Sequence, residues 1–227
     1  MTNYLPLLGF DTETTGVSTE RDRIVTAALV RRADDGATTE RTWLIDPGVE
    51  IPERASAVHG ITTEYAREHG RPPGEALEEI AAALVAEPGL PIVAFNASYD
   101  LAILDADLRR HGLATLAERL GRAVGPVIDP LVLDRAVDRY RRGPRKLGDL
   151  VVHYRVEVGG DLHDAMVDVR STIGVLDVIL AAHPHLWDMP LSELHDWQVA
   201  KQRAWAEHFN QWLTSKGKPA DVSLTWP

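Results

Sequence analysis

Apolar positions in the first part of the chain fall in short, dense runs: "LPLLGFDT" from Leu5, "RIVTAALVRR" from Arg23 and "RTWLIDP" from Arg41. Polar, turn-forming stretches, "GVSTERD" and "ADDGATTE", separate them, so the three runs read as consecutive antiparallel strands. The long segment "GVEIPERASAVHGITTEYAREHGRPPG" reads as a loop. In "EALEEIAAALVAE" the period changes to that of a helix, with Ala76, Leu77, Ile80, Ala83 and Leu84 on one side, and Pro88, Gly89 and Pro91 end it. The apolar strand "PIVAFN" then leads directly into a helix, "SYDLAILDADLRRHG", with Ser98 as its expected N-cap and Gly112 as its stop. A further strand, "GPVIDP", precedes "LVLDRAVDRYRR", "KLGDLVVHY" and "DAMVDVRSTIGVLDVILAAH", the last carrying Ala165, Val169, Ile173, Leu176 and Leu180 in one helical stripe. Strands that begin antiparallel and then alternate with helices predict one α/β domain over residues 1–183, with a mixed β-sheet of three antiparallel strands followed by parallel strands, flanked by helices.

Residues 184–227 differ in character and hold five of the six tryptophans. Leu194, Trp197, Trp205, Phe209 and Trp212 share much of one helix face, which predicts a helical, Trp-rich C-terminal extension that packs on the domain, on a second copy of the chain, or on a partner such as a polymerase or repair protein.

Composition narrows the class. The chain has 227 residues, 44% of them hydrophobic, enough to bury a core without staples, and the absence of cysteine excludes disulfides and thiolate metal sites. The amino-terminal residues lack the basic and apolar regions of a signal peptide, and no window reaches the length of a membrane span, so a cytoplasmic protein with no membrane partner is expected. A formal charge of −10 argues against a surface that grips nucleic acid everywhere. Local binding is a different matter. "RYRRGPRK" places Arg139, Arg141, Arg142, Arg145 and Lys146 within eight positions, either as a solvated loop or as a track for an incoming strand.

The candidate chemistry is acidic. Alternation along a strand puts Asp11 and Glu13 of "FDTETTG" on the same face near its end, where two close carboxylates repel unless a hard cation lies between them or both face water. Asp100 lies in the first turn of a helix, a place its dipole favours for an acid in any case. Asp168 sits between Val167 and Val169, and His163 precedes it by five positions at the helix entrance.

Taken together, "FDTETTG" (Asp11, Glu13), "NASYD" (Asp100) and "HDAMVD" (His163, Asp168) resemble the signatures of the DnaQ-like 3′–5′ exonucleases of the DEDDh type, which have the ribonuclease H-like fold. The resemblance spans roughly residues 5 to 180 and leaves the Trp-rich tail uncovered. Tyr99 departs from the phenylalanine common before the second aspartate. The resemblance implies a hydrolase that cuts terminal phosphodiesters of single-stranded DNA and releases nucleoside 5′-monophosphates, with an exoribonuclease or a proofreading subunit as alternatives. Two divalent ions, Mg²⁺ or Mn²⁺, would be held by Asp11, Glu13, Asp100 and Asp168, and His163 would act as general base, a role for which imidazole is the suited residue type. Thr12, Thr14, Asn96, Tyr99 and His59, the last in "VHGIT", are the implied substrate-binding residues, with Phe10, Tyr99 or His59 as candidates to stack on a base.

Overall fold

A computed structural model describes residues 4–227. Three strands come first, β1 (Leu7–Thr14), β2 (Ile24–Arg32) and β3 (Thr38–Leu44), and they pair as antiparallel neighbours. The segment read as a loop instead holds two short helices, α1 (Glu53–His59) and α2 (Thr63–His69). Their buried footprint is only Ala55 in the first and Thr63 and Ala66 in the second, too little to leave a helical period in the sequence. Then follow α3 (Pro73–Val85), β4 (Ile92–Val93), α4 (Ala97–Arg110), the short α5 (Leu116–Leu120) and β5 (Val127–Ile128). The second half is helical: α6 (Pro130–Val137), α7 (Leu147–Tyr154), α8 (Ala165–Ala182), α9 (Pro184–Trp187) and α10 (Leu191–Ser215). Among the described residues no helix is long and apolar enough to cross a membrane.

The sheet order is β3-β2-β1-β4-β5, with β4 and β5 parallel to β1, as the change in the sequence from hairpins to strand–helix units requires. Alternation along the strands splits the core into two layers. Leu8, Phe10, Ala27 and Leu29 face α3 and α4, whereas Leu7, Ala28 and Val30 face α8 and its neighbours. Gly9 decides how near α8 comes, since a Cβ there would lie 2.7 Å from Val169 Cγ1 and 2.9 Å from Ile173 Cδ1. Arg32, 4% exposed, fixes the other end of α8 by a two-pronged pair with Asp177 at 2.6 and 2.9 Å.

The basic segment 139–146 is not uniformly available to a ligand. Arg141 and Arg145 both donate to the fully buried Asp134, which also accepts from the Tyr154 hydroxyl at 2.9 Å. Two of the five cations therefore neutralise an interior carboxylate, and α6 stops at Val137 rather than running on to Arg142.

The tail helix α10 seats on its own domain. Its Gln198, fully buried, accepts from Asp129 N–H at 2.8 Å and donates to Val127 O at 3.0 Å, while His195 Nδ1 accepts from Val127 N–H at 3.2 Å. These side chains satisfy the outer edge of β5 in place of another strand. The expected tryptophan face divides accordingly: Leu194, Gln198 and Ala206 point inward, while Trp205, Phe209 and Trp212 stack on one another along the helix flank, with ring centroids 5.1 and 5.4 Å apart.

Gln198→Leu leaves the Asp129 N–H and the Val127 carbonyl without partners and is expected to cost about 2–3 kcal/mol. Urea unfolding measures it, and a loss under about 0.5 kcal/mol would show that water serves the β5 edge equally well.

Candidate active site

The apolar start of β1 buries it between two layers, and its last residues carry the acids. Asp11 pairs across from Ala28 and Glu13 from Thr26, and the register shifts between Glu13 and Thr14. That irregularity ends regular pairing next to Glu13 at the strand's end. Both carboxylates share the face of Gly9, the side on which α8 packs.

Asp100 arrives from the opposite layer. It stands in the first turn of α4, only 3% exposed, and its Oδ1 accepts from Thr12 N–H at 3.1 Å and from the Thr12 hydroxyl at 2.7 Å. The chain reaches that helix through Asn96, the N-cap in place of the expected Ser98, held in the left-handed region at φ 62° with an exposed side chain. No side chain of α4 itself caps it. Buried Asp129 does so from β5's end, accepting from Asn96 N–H at 3.1 Å and Ala97 N–H at 3.0 Å, and it caps α6 as well through Leu131 N–H at 2.9 Å.

Asp168 comes from the first turn of α8, 8% exposed, and both its oxygens accept from the His163 N–H at 3.3 Å. Asp164 caps α8, accepting from Met166 N–H at 2.9 Å and Val167 N–H at 3.2 Å. His163 itself is exposed and adopts φ 78°, a left-handed conformation that costs a non-glycine residue energy and holds its backbone N–H on Asp168. Ligand atoms of Glu13, His163 and Asp168 lie within 4.8 Å of one another.

The electrostatic consequence is severe. Burial, then Asp100, Asp168, Glu13 and Asp164, push the Asp11 carboxyl well above the ordinary carboxylate range. Burial and the charges of Asp168, Asp100 and Asp164 push Glu13 up to about 8. Burial raises Asp100 to about 7 against the pull of its two Thr12 hydrogen bonds, and burial also raises Asp168. Hard oxygen donors in this number, disfavoured as anions by one another, suit divalent cations of the Mg²⁺ or Mn²⁺ kind, which would reverse the sign of the local potential.

The remaining predicted residues are distributed unevenly. Thr12 spends its hydroxyl on Asp100. The Thr14 hydroxyl donates to Gly16 O at 2.8 Å and lies 2.7 Å from the Tyr99 hydroxyl, so this pair ties the end of β1 to α4. Phe10, 1% exposed, is core and is not free to stack on a base. His59 Nδ1 accepts from Ile61 N–H at 3.2 Å, which leaves the proton on Nε2, a buried atom that faces the Thr14 backbone. His59 and His163 line one cleft of about 260 Å³ with Thr26, Trp43, Tyr65 and Met166. Gly9, Asp129 and Asp164 escaped the sequence reading. The first two had signals, a glycine inside an apolar strand and the Asp-Pro pair that opens a helix.

Known proteins resemble the chain over its sheet and the helices that pack on it. The family profile described as Exonuclease (RNase T) matches residues 8–176. An uncharacterized exonuclease of Escherichia phage 186 is 30% identical over 186 residues, covering 74% of this chain and 85% of that protein. A PolC-type DNA polymerase III of Lacticaseibacillus paracasei is 28% identical over 188 residues, 82% of this chain but 12% of the polymerase. Among solved structures, E. coli Exonuclease I in complex with a dT13 oligonucleotide superposes with a TM-score of 0.69 at 22% identity, over 80% of this chain and 42% of that one. The chain thus spans less than half of these last two proteins, and at this identity the structural likeness is one of fold: a ribonuclease H-like mixed sheet.

Two outcomes follow for the metal-free protein. Carboxyls raised in the folded state bind protons that the unfolded chain has released, so their contribution to stability is fully present below about pH 4.5 and is lost as pH rises through about 8. Tm in EDTA should fall over that window and Mn²⁺ should flatten the profile; a flat profile in EDTA contradicts the clustering of charge. Gly9→Ala should drive α8 outward and weaken Mn²⁺ binding about tenfold or more, at a stability cost of about 1–3 kcal/mol. Calorimetric titration with Mn²⁺ checks it, and unchanged affinity would mean that α8 does not set the spacing of the acids.

Proposed function

Since the chain belongs to the exonuclease family, we propose that it is a metal-dependent 3′–5′ exonuclease that removes nucleoside 5′-monophosphates from the 3′ end of single-stranded DNA. One observation carries the reading: acids from three elements, β1, α4 and α8, converge at one strand end with an exposed histidine on their rim. A structural or purely binding role gives no reason to bury four carboxylates so close that Asp100 and Asp168 raise both Asp11 and Glu13.

In this reading Asp11, Glu13, Asp100 and Asp168 hold two divalent ions, Mg²⁺ or Mn²⁺. Bound ions supply positive charge for the attacking and leaving oxygens of an in-line displacement at phosphorus. Thr12 fixes the Asp100 carboxylate from two sides, and the Asp168 carboxylate keeps the peptide before His163's side chain in place. His163, exposed at the rim, takes the proton from the attacking water as general base; its freedom from ring hydrogen bonds among the described residues lets it approach and leave with each turnover. His59 meets the terminal nucleotide in the cleft that it shares with His163. The Tyr99 hydroxyl holds the end of β1 at Thr14 and Gly16, and the exposed Asn96, at the entrance to the helix that carries Asp100, is open to the same strand.

The test uses 5′-labelled single-stranded DNA and RNA oligomers with Mg²⁺, Mn²⁺ or EDTA. Stepwise shortening that EDTA abolishes, faster on DNA, is expected. His163→Ala should retain the fold and metal affinity while kcat falls about 10²–10⁴-fold. Asp11→Asn should abolish both turnover and tight Mn²⁺ binding. Undiminished turnover by His163→Ala removes it as base, and EDTA-resistant digestion removes the metal reading altogether.

A further inference from the structure

The Trp-rich helix α10 lies beyond the residues that the exonuclease profile matches, yet it forms a pocket with α6 of the matched domain. The pocket, about 280 Å³, is lined by Arg135, Arg139, Lys201, Gln202, Trp205 and His208, and no carboxylate lines it. Arg135 stacks its guanidinium on the Trp205 ring at 3.7 Å and donates to Gln202 at 3.3 Å. Arg139 and Lys201 are exposed and, among the described residues, neither enters an ion pair. In a chain of net charge −10, with Arg141 and Arg145 committed to Asp134 and Arg135 facing the charges of Asp129 and Asp134, the two exposed cations Arg139 and Lys201, without an ion pair among the described residues, are conspicuous.

We infer that this pocket holds the sugar-phosphate backbone of the single strand whose 3′ end occupies the acidic site, a few nucleotides 5′ of the scissile bond. The inference rests on the exonuclease reading and adds a second contact region to it. Three observations support it. The pocket is joined to the acidic site by a short rigid path, because Asp129 caps both α4, which carries Asp100, and α6, on which Arg135 lies five residues in, about 8 Å along the axis. Its two exposed cations come from different segments, Arg139 from the turn after α6 and Lys201 from α10, a pairing that suits a phosphate backbone better than one carboxylate. Beside them runs the column Trp205, Phe209 and Trp212, whose last ring is 43% exposed and offers a base a stacking edge. An acidic peptide is the competing occupant and becomes an outcome of the test.

Arg139→Glu/Lys201→Glu alters two exposed side chains without breaking an ion pair or the core. Binding of a roughly 20-nucleotide single-stranded DNA is read by fluorescence anisotropy across a salt series, and kcat/KM is read on that substrate and on a trinucleotide. The double variant should bind the long strand about tenfold more weakly, with the slope of log K against log salt reduced in magnitude by about 1.4, that is 0.7 for each cation removed. The ratio of kcat/KM on the long substrate to that on the trinucleotide should fall by a similar factor. An unchanged slope and ratio in the variant, with the wild type active on both substrates, overturn the inference and leave the exonuclease reading standing. So does binding of a hexa-aspartate peptide to the wild type but not to the variant when the DNA slope is unchanged, which would assign the pocket to an acidic protein partner. A wild type that cleaves neither substrate overturns the exonuclease reading and this one with it.

Discussion

Mutual repulsion among Asp11, Glu13, Asp100 and Asp168 is the constraint around which the molecule is arranged. Side chains of this kind in water would simply move apart, so each is immobilised by an element that is itself fixed elsewhere. β1 is locked between two core layers, α8 is brought down by Gly9 and held by Arg32 and Asp177, and α4 is anchored at its entrance by Asp129. Thr12 completes the set by gripping Asp100 with both its hydroxyl and its N–H. The free energy that the cluster costs is carried by burial distributed over the whole sheet, as is usual for strained functional sites.

The tail belongs to this support. Gln198 and His195 of α10 satisfy the outer edge of β5, β5 ends in Asp129, and Asp129 caps the helix that carries Asp100. Each link is a hydrogen bond between buried or partly buried groups, where a missing partner is expensive. A two-residue edge strand could not hold Asp129 in place by its single neighbour, and the long helix supplies what a sixth strand would otherwise give. Residues outside the family profile therefore help to position the acids within it.

Much of this was legible in the sequence because it is written in local periodicity and in residue types that are hard to explain otherwise. The order of antiparallel strands followed by strand–helix units appeared in the apolar runs, and Asp11, Glu13, Asp100, Asp168 and His163 stood out as acids and a histidine at strand ends and helix entrances. What failed was non-local. Ser98 looks like a cap by its neighbours, but Asp129 provides the acceptor from more than thirty residues away. Arg141 looks solvated beside Gly143 and Pro144, yet Asp134 holds it inside. Phe10 sits next to a candidate acid, but strand alternation turns it to the opposite layer, which makes it core. Helices α1 and α2 bury so little that no period announces them.

The same charges bear on the order of events at the site. At an effective dielectric of about 20, a phosphate oxygen about 5 Å from one carboxylate is repelled by about 3 kcal/mol, and four carboxylates converge here. A strand cannot enter until protons or cations have answered that charge. At neutral pH protons answer only part of it, since Asp100 is raised to about 7 and Glu13 to about 8. In the proposed reaction, cation and nucleic acid must then bind with positive coupling, each raising the affinity for the other by the same factor. The selectivity for a strand terminus proposed above follows from the same charges. The acids line the end of a single strand, β1, between α4 and α8, so the neutralised region is small, and the rest of a chain at net −10 offers a polyanion few other places to rest.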